Sequence, residues 1–336
     1  MGNNAPKPPV ISDVARAAGV SVPTVSRVLN GAAYVSDEKR LKVLQAIEEL
    51  QFRPSAAARA LVQRQPKLIA VIAGNTSQYG YAETIRGVEE SARAAGYTVS
   101  ITVVESADDE TVERAVALIL EQPIAGLVVL KFDPPGVAAL HRLPKSIPTV
   151  SVSGVRETGV PQAVLAEADA AEELVGYLLG LGHRTVHHVR VPPSRKEDGR
   201  TTGWRRALAA VGADVPEPFD ATWEPESGRL IGRELADRSE VTAVFCGNDE
   251  IAMGVIRGLA EGGKRVPDDV SVVGFDDHPL ARMWSPPLTT VNQDFAELGA
   301  RAFGMLEGIL GGKRVRKFSS ERPTLVIRES AAAPRS

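Results

Sequence analysis

The sequence predicts an α/β protein in two parts, a small helical head followed by a long body in which strands and helices alternate. Three observations carry this. "ISDVARAAGVSVPTVSRVLNG", residues 11–31, places two short helix-forming runs on either side of Gly19. From Leu68 onward, "LIAVIA", "YTVSITVV", "AGLVVL", "PTVSVS", "TVHHVRV", "TAVFC" and "VSVVGF" alternate with helical patterns such as "YAETIRGVEESARAAG" and "DEIAMGVIRGLAEGG". That alternation is how parallel sheets built from βαβ units read. Charge divides the same way: residues 7–67 hold ten Lys and Arg against five acids, so this segment is +5 and the remainder −8 of a net −3. A basic head on an acidic body suits a phosphate-binding module joined to a different domain, although chance clustering of solvated charge would give the same count.

The 336 residues, 43% of them hydrophobic, have room for one large domain or two to three ordinary ones and do not fit a fibrous or disordered class. The opening "MGNNAPKPPV" has no apolar run of signal-peptide length, and no later stretch approaches a membrane span, so a cytoplasmic location is expected. Cys246 is the only cysteine, which excludes an internal disulfide and a cysteine-cluster metal site; it reads as a small buried residue.

In the head, Ser12 or Asp13 is placed to cap a first helix through Ala18, Gly19 to permit a tight turn, and Ser21 to cap a second helix with Pro23 in its first turn. Val14, Ala15 and Ala18 would pack on Val25, Val28 and Leu29. Val22, Pro23, Thr24, Ser26, Arg27 and Asn30 are left outward, as on the recognition surface of a helix-turn-helix. A third helix starts at Ser36, with Asp37 and Glu38 at the positive end of its dipole and Leu41, Leu44, Ile47 and Leu50 as an apolar stripe. The Arg27 fork matches the major-groove edge of guanine, while Thr24, Ser26 and Asn30 are short donors for phosphate oxygens. Val22 and Pro23 can read only by apolar contact, for example with a thymine methyl.

"DVARAAGVSVPTVSRVLNG" followed by "VSDEKRLKVLQAIEELQFRPSAAARAL" closely resembles the DNA-binding headpiece of the lactose-repressor (LacI/GalR) family of bacterial transcriptional regulators. The resemblance implies a helix-turn-helix headpiece over residues 8–53, a hinge helix and linker over 54–66, and an effector-binding and dimerisation domain over 67–331. It further implies that the hinge becomes helical when two subunits meet on DNA. A short helix is marginal alone in water, so such coupling is physically sensible. Ala58 then approaches the minor groove, Leu61 matches the leucine that wedges open a base step, and Tyr34 aligns with a further DNA-contacting position.

For the body, the resemblance implies two doubly wound α/β subdomains, like those of periplasmic binding proteins, with strand crossovers and a ligand cleft between them. Ligands in open parallel sheets bind beyond the carboxyl ends of the strands. Polar or aromatic residues gather there: Asn75 to Tyr81, Lys131 to Asp133, Asn248 and Asp249, Asp276 and Asp277. By resemblance Arg200 is the effector-binding arginine, Trp223 an aromatic platform, Asn248 and Asp276 acceptors for hydroxyls, and Asp169 another cleft aspartate; Asn75, Tyr81 and Lys131 complete the candidate set. Gly80 stands where the family usually has an aromatic, which leads us to expect a roomier N-terminal wall.

Enzyme chemistry finds little support: no GxGxxG follows the first strand, and there is no P-loop, GxSxG or histidine pair at metal-ligand spacing. No catalytic residue, metal or cofactor is therefore expected. The resemblance implies a homodimeric repressor of near-palindromic operator DNA, controlled by a small effector, expected to be a saccharide. A solute-binding protein is the alternative that the body alone would permit. An enzyme on a doubly wound scaffold is a third.

Overall fold

Gly19 takes φ +64°, a left-handed conformation open to a residue without Cβ, and so ends α1 (Ile11–Ala18) and turns the chain into α2 (Val22–Leu29). With α3 (Asp37–Glu49) these helices make up one of two compact units, residues 1–66 and 67–336. The structure is a computed structural model and describes residues 9–29, 34–52, 66–154, 156, 159–193 and 197–335.

The head packs Val14, Ala15, Ala18, Val25, Val28, Val43 and Ala46 into one core with Val35 and Phe52. Three details differ from expectation. The N-cap of α1 is Val10, and Asp13 serves it from inside the first turn, accepting the Val10 N–H at 2.9 Å. Leu29 is 36% exposed rather than packed. On α3 the buried face is Val43 and Ala46 flanked by Ile47 and Leu50, which leaves Leu41 and Leu44 61% and 51% exposed. Both sets recur at helical spacing, so periodicity alone could not choose between them.

In the body, β1 (Leu68–Ala73), β2 (Thr98–Val103), β3 (Ile124–Leu130), β4 (Thr149–Ser153), β5 (Gln162–Leu165) and β11 (Phe318–Glu321) form a parallel sheet in the order β11-β5-β4-β3-β1-β2. Strand side chains alternate between its faces. Ile69, Val71 and Ala73 pack with α4 (Tyr79–Ala94) and α11 (Phe295–Leu310), while Ala70 and Ile72 pack with α5 (Asp109–Leu120) and α6 (Pro134–Arg142).

A second parallel sheet, β7-β6-β8-β9, is built from β6 (His187–Arg190), β7 (Phe219–Asp220), β8 (Ala243–Cys246) and β9 (Ser271–Val273). One face carries α7 (Glu167–Gly180) and α8 (Gly199–Ala210), the other α9 (Pro225–Ala236) and α10 (Asp249–Glu261). Cys246 is buried on the second of these faces. The chain passes between the subdomains from β5 to α7, from β10 (Thr290–Asn292) to α11, and from β11 to β12 (Thr324–Val326), and β10 pairs antiparallel with β12. The expected two doubly wound subdomains with strand crossovers are present.

The α9–α10 crossing depends on four glycines. A Cβ on Gly228, Gly232, Gly254 or Gly258 would fall 2.0–2.4 Å from a carbonyl oxygen of the opposite helix. Gly254→Ala is therefore expected to destabilise the body by about 1–3 kcal/mol through forced helix separation. Urea unfolding at constant m-value tests this, and an unchanged midpoint would contradict it.

His188 is fully buried, stacked on Phe245 at 4.6 Å with an interplanar angle of 11°. Its Nδ1 donates to the Phe245 carbonyl at 3.0 Å, and Nε2 accepts from the Thr201 hydroxyl at 3.2 Å, which describes a neutral ring. Burial holds its pKa down at about 4, against 6.5 for an ordinary histidine. Stability from this group is thus complete above pH 6.5 and lost as pH falls from 6.5 through 4, by up to about 3 kcal/mol. The buried Asp276, raised to about 7, works in the opposite sense over the same range. The parent's urea midpoint should therefore fall between pH 7.5 and 5 relative to that of His188→Phe; parallel pH slopes in the two would assign the loss elsewhere.

Candidate functional site

Two surfaces deserve the name. On the head, Val22, Pro23 and Arg27 are exposed along α2 and Thr24 and Ser26 are half-buried beside them. The Thr24 hydroxyl shares a 2.9 Å hydrogen bond with the Ser21 hydroxyl, which orients it at the start of the helix. Tyr34 is 95% exposed. Asn30, Ala58 and Leu61 lie outside the described residues. The face presents one guanidinium, two hydroxyls and two apolar surfaces, a set able to contact phosphates and base edges together.

In the body, the carboxyl ends of strands in both sheets converge on an open cleft. Gln78 to Tyr81, Lys131, Phe132, Gly154 and Phe295 line it from the first subdomain, and Val191 to Pro193, Asp198, Arg200, Trp223, Asn248, Glu250 and Asp276 from the second, with Glu167 at the crossover. Six of the eight expected residues therefore come together there: Tyr81, Lys131, Arg200, Trp223, Asn248 and Asp276.

Arg200 is the centre of the polar wall. One Nη donates to the Gly247 carbonyl; the other lies 3.0 Å from Glu167 Oε1 and 3.2 Å from Asp276 Oδ1, and the guanidinium carbon stands 4.7 Å from the Phe275 ring centroid. Its fork is thus largely held by the protein's own acceptors. Asp276 also accepts from Gln293 Nε2 at 2.8 Å and sits at φ +110°, a conformation unfavourable for a residue with Cβ. Burial raises its pKa to about 7, with Arg200 pulling the other way.

Asn248 caps α10, its Oδ1 accepting the Ile251 N–H at 2.8 Å, and its Nδ2 reaches Glu250 at 3.2 Å. Tyr81 is buried and donates to Asp133 Oδ2 at 2.5 Å; burial and that carboxylate raise its pKa. Trp223 is half-buried, packed on the second core.

Two expected residues are not among those lining the cleft. Asn75 Oδ1 accepts from the Ser77 and Gln78 N–H groups at 2.7 and 3.0 Å, shaping the loop after β1. Asp169 has a side chain 64% exposed, 3.8 Å from Arg206. Two residues along a helix turn about 200°, so Asp169 points away when Glu167, on the same first turn, faces the cleft. Glu167, Asp198, Glu250 and Phe295 were not singled out from the sequence, while Tyr79 and Phe132 fall within the stretches after β1 and β3 that it pointed to. For Glu167, Asp198 and Glu250, position at or near a helix start was the available signal.

The N-terminal wall is not roomier at Gly80. A Cβ there would meet Phe295 Cζ at 3.0 Å, so the missing side chain makes room for that ring. Tyr79 and Phe132 stand edge-on to Phe295 at centroid distances of 6.0 and 6.3 Å, and Tyr81 to Phe132 at 5.1 Å, giving an aromatic wall.

Comparisons with known proteins agree with this layout. The family described as "Bacterial regulatory proteins, lacI family" matches residues 10–55, and the "Periplasmic binding protein-like domain" matches residues 175–331. The HTH-type transcriptional repressor PurR of Pectobacterium carotovorum subsp. carotovorum (strain PC1) is 36% identical over 331 residues, 96% of each chain. PurR of Escherichia coli O139:H28 (strain E24377A / ETEC) is 35% identical over 332 residues, again 96% of each. Among solved structures, the lac repressor dimer bound to operator and the anti-inducer ONPF superposes with a TM-score of 0.90 at 30% identity, covering 97% of this chain and 100% of that one. The transcriptional regulator CelR in complex with cellobiose gives 0.71 at 28%, covering 96% and 100%. Among the described residues, no helix is long and apolar enough to cross a membrane.

Proposed function

Because the chain belongs to the lacI family of bacterial regulatory proteins, and so is a DNA-binding transcriptional regulator with an effector-binding body, we propose that it is a repressor that binds a near-palindromic operator as a homodimer and responds to a saccharide-like effector. Residues Val22, Pro23, Thr24, Ser26, Arg27 and Asn30 meet DNA from the helix-turn-helix, joined by Tyr34, Ala58 and Leu61. The effector sits among Tyr81, Lys131, Arg200, Trp223, Asn248 and Asp276. Two-fold symmetry in the protein answers two-fold symmetry in the operator, and a ligand that favours one pose of the subdomains changes how well two heads reach their half-sites.

The observation that carries the ligand class is the composition of the cleft: an aromatic wall and Trp223 for the apolar face of a sugar ring, with carboxylates and an amide for its hydroxyls. CelR was solved with cellobiose and the lac repressor with ONPG, both in the same fold. The test is calorimetric titration of the purified chain with a panel of mono- and disaccharides. Binding should occur for at least one sugar and fall about tenfold or more in Trp223→Ala, with ligand-free operator binding intact. If Trp223→Ala leaves sugar affinity unchanged, the cleft assignment fails. A chain that selects no sequence from random duplex DNA would instead favour the solute-binding alternative.

A further inference from the structure

We infer that the preferred effector carries a protonated amine on its polar skeleton, so that its class is an amino sugar or a close polyhydroxylated amine. This rests on the saccharide-like reading above and adds the ligand's charge. Among the described residues, the cleft is lined by four carboxylates, Glu167, Asp198, Glu250 and Asp276, against two cations, Lys131 and Arg200. Arg200 is held by Glu167, Asp276 and the Gly247 carbonyl, so a ligand anion would have to compete with buried internal partners for it. The acceptors are less completely satisfied. Glu167 has a side chain only 8% exposed; its Oε1 takes Arg200, and its other oxygen, Oε2, has no hydrogen-bond donor among the described residues. That second oxygen lies beside Gly154, where an added Cβ would come within 2.2 Å of it, so a glycine there leaves space for the carboxylate at the cleft wall.

Two further carboxylates point the same way. Asp198 uses Oδ1 to accept the Thr201 N–H at 2.7 Å, and its Oδ2 is buried with no donor among the described residues. Glu250 receives a 3.2 Å contact from Asn248, and burial and the charge of Glu224 raise its pKa, the state of a carboxylate that would gain from a cation. The opposite wall supplies the rings of Tyr79, Tyr81, Phe132 and Phe295, and Trp223 stands on the second subdomain. Aromatic faces attract cations as well as sugar rings. An ammonium group supplies three donors to this acceptor-rich wall and a cation for its incompletely paired carboxylates, whereas a neutral sugar brings no charge to them and a phosphate or uronate brings another anion.

The experiment is calorimetry of the full chain at pH 7 with matched pairs: glucosamine and glucose, galactosamine and galactose, and the diamine chitobiose and cellobiose, plus glucuronate. In any pair that binds, the amine member should be tighter by about tenfold or more. Glu250→Gln and Glu167→Gln should each shrink that preference about tenfold, with folding checked by circular dichroism. Equal or tighter binding of the neutral member, or of glucuronate, overturns this inference and leaves the saccharide reading standing. Failure of every sugar, amine-bearing or not, overturns the saccharide reading itself. A preference that survives Glu250→Gln and a folded Glu167→Gln also overturns the inference.

Discussion

Arg200→Ala is expected to lower the stability of the body by about 3–5 kcal/mol and to abolish effector binding. The guanidinium lies between two carboxylates whose side chains are 8% and 11% exposed, at 3.0 and 3.2 Å. Removing it leaves Glu167 and Asp276 buried together without their common cation, and strips the Gly247 carbonyl of its donor. The loss is thus mainly the penalty of stranded charge rather than the net worth of the ion pairs. Arg200→Lys keeps a charge but not the planar fork, and should recover only part of the loss. In the double variant Arg200→Ala, Glu167→Gln, one stranded charge is gone, so stability should rise above that of Arg200→Ala alone. Urea unfolding followed by circular dichroism reads all three; a single variant as stable as the parent would contradict the buried network.

Arg27→Ala is the second large effect, on DNA rather than on stability. Arg27 is exposed on α2, and the head core of Val14, Val25 and Val28 does not involve it, so the variant should fold normally. Loss of a bidentate contact to guanine costs about 1–3 kcal/mol, about ten- to a hundredfold in specific affinity, and relaxes preference at one base pair of each half-site. Arg27→Lys should retain most of the non-specific affinity and little of the discrimination. Equal weakening on all sequences would reassign Arg27 to the phosphates.

Much of this was legible in the sequence, and what was not has physical causes. The long strands of the first sheet and the helices between them follow from β-branched runs and helical periodicity, because a strand buried on both faces needs a continuous apolar run. Strands β7, β10, β11 and β12 span only two to four residues each, and β11 reads "FSSE", with no apolar alternation to reveal it. Its place beside β5 is set by a long-range pairing that local pattern does not encode. In the cleft, residues just after strands were found because the carboxyl ends of parallel strands are where such sites form. Glu167 was missed because a carboxylate in the first turn of a helix is ordinarily explained by the dipole. Asp169, the position that the resemblance implied, lies two residues on, and helical geometry turns it to solvent. Gly80 was read as an absence, while in the fold it makes space for Phe295, distant in sequence.

The account's central claim is that a small molecule in the body's cleft changes the grip of the head on DNA. The most direct measurement is fluorescence anisotropy of an operator duplex, selected from random DNA by the purified chain, titrated with protein in the presence and absence of a saturating sugar found by calorimetry. The account predicts a shift in apparent Kd of at least about fivefold, 1 kcal/mol or more, for the parent chain at saturating sugar, and a sugar dependence of that shift displaced about tenfold or more to higher concentration in Trp223→Ala. Identical curves for the parent with and without bound sugar would contradict it.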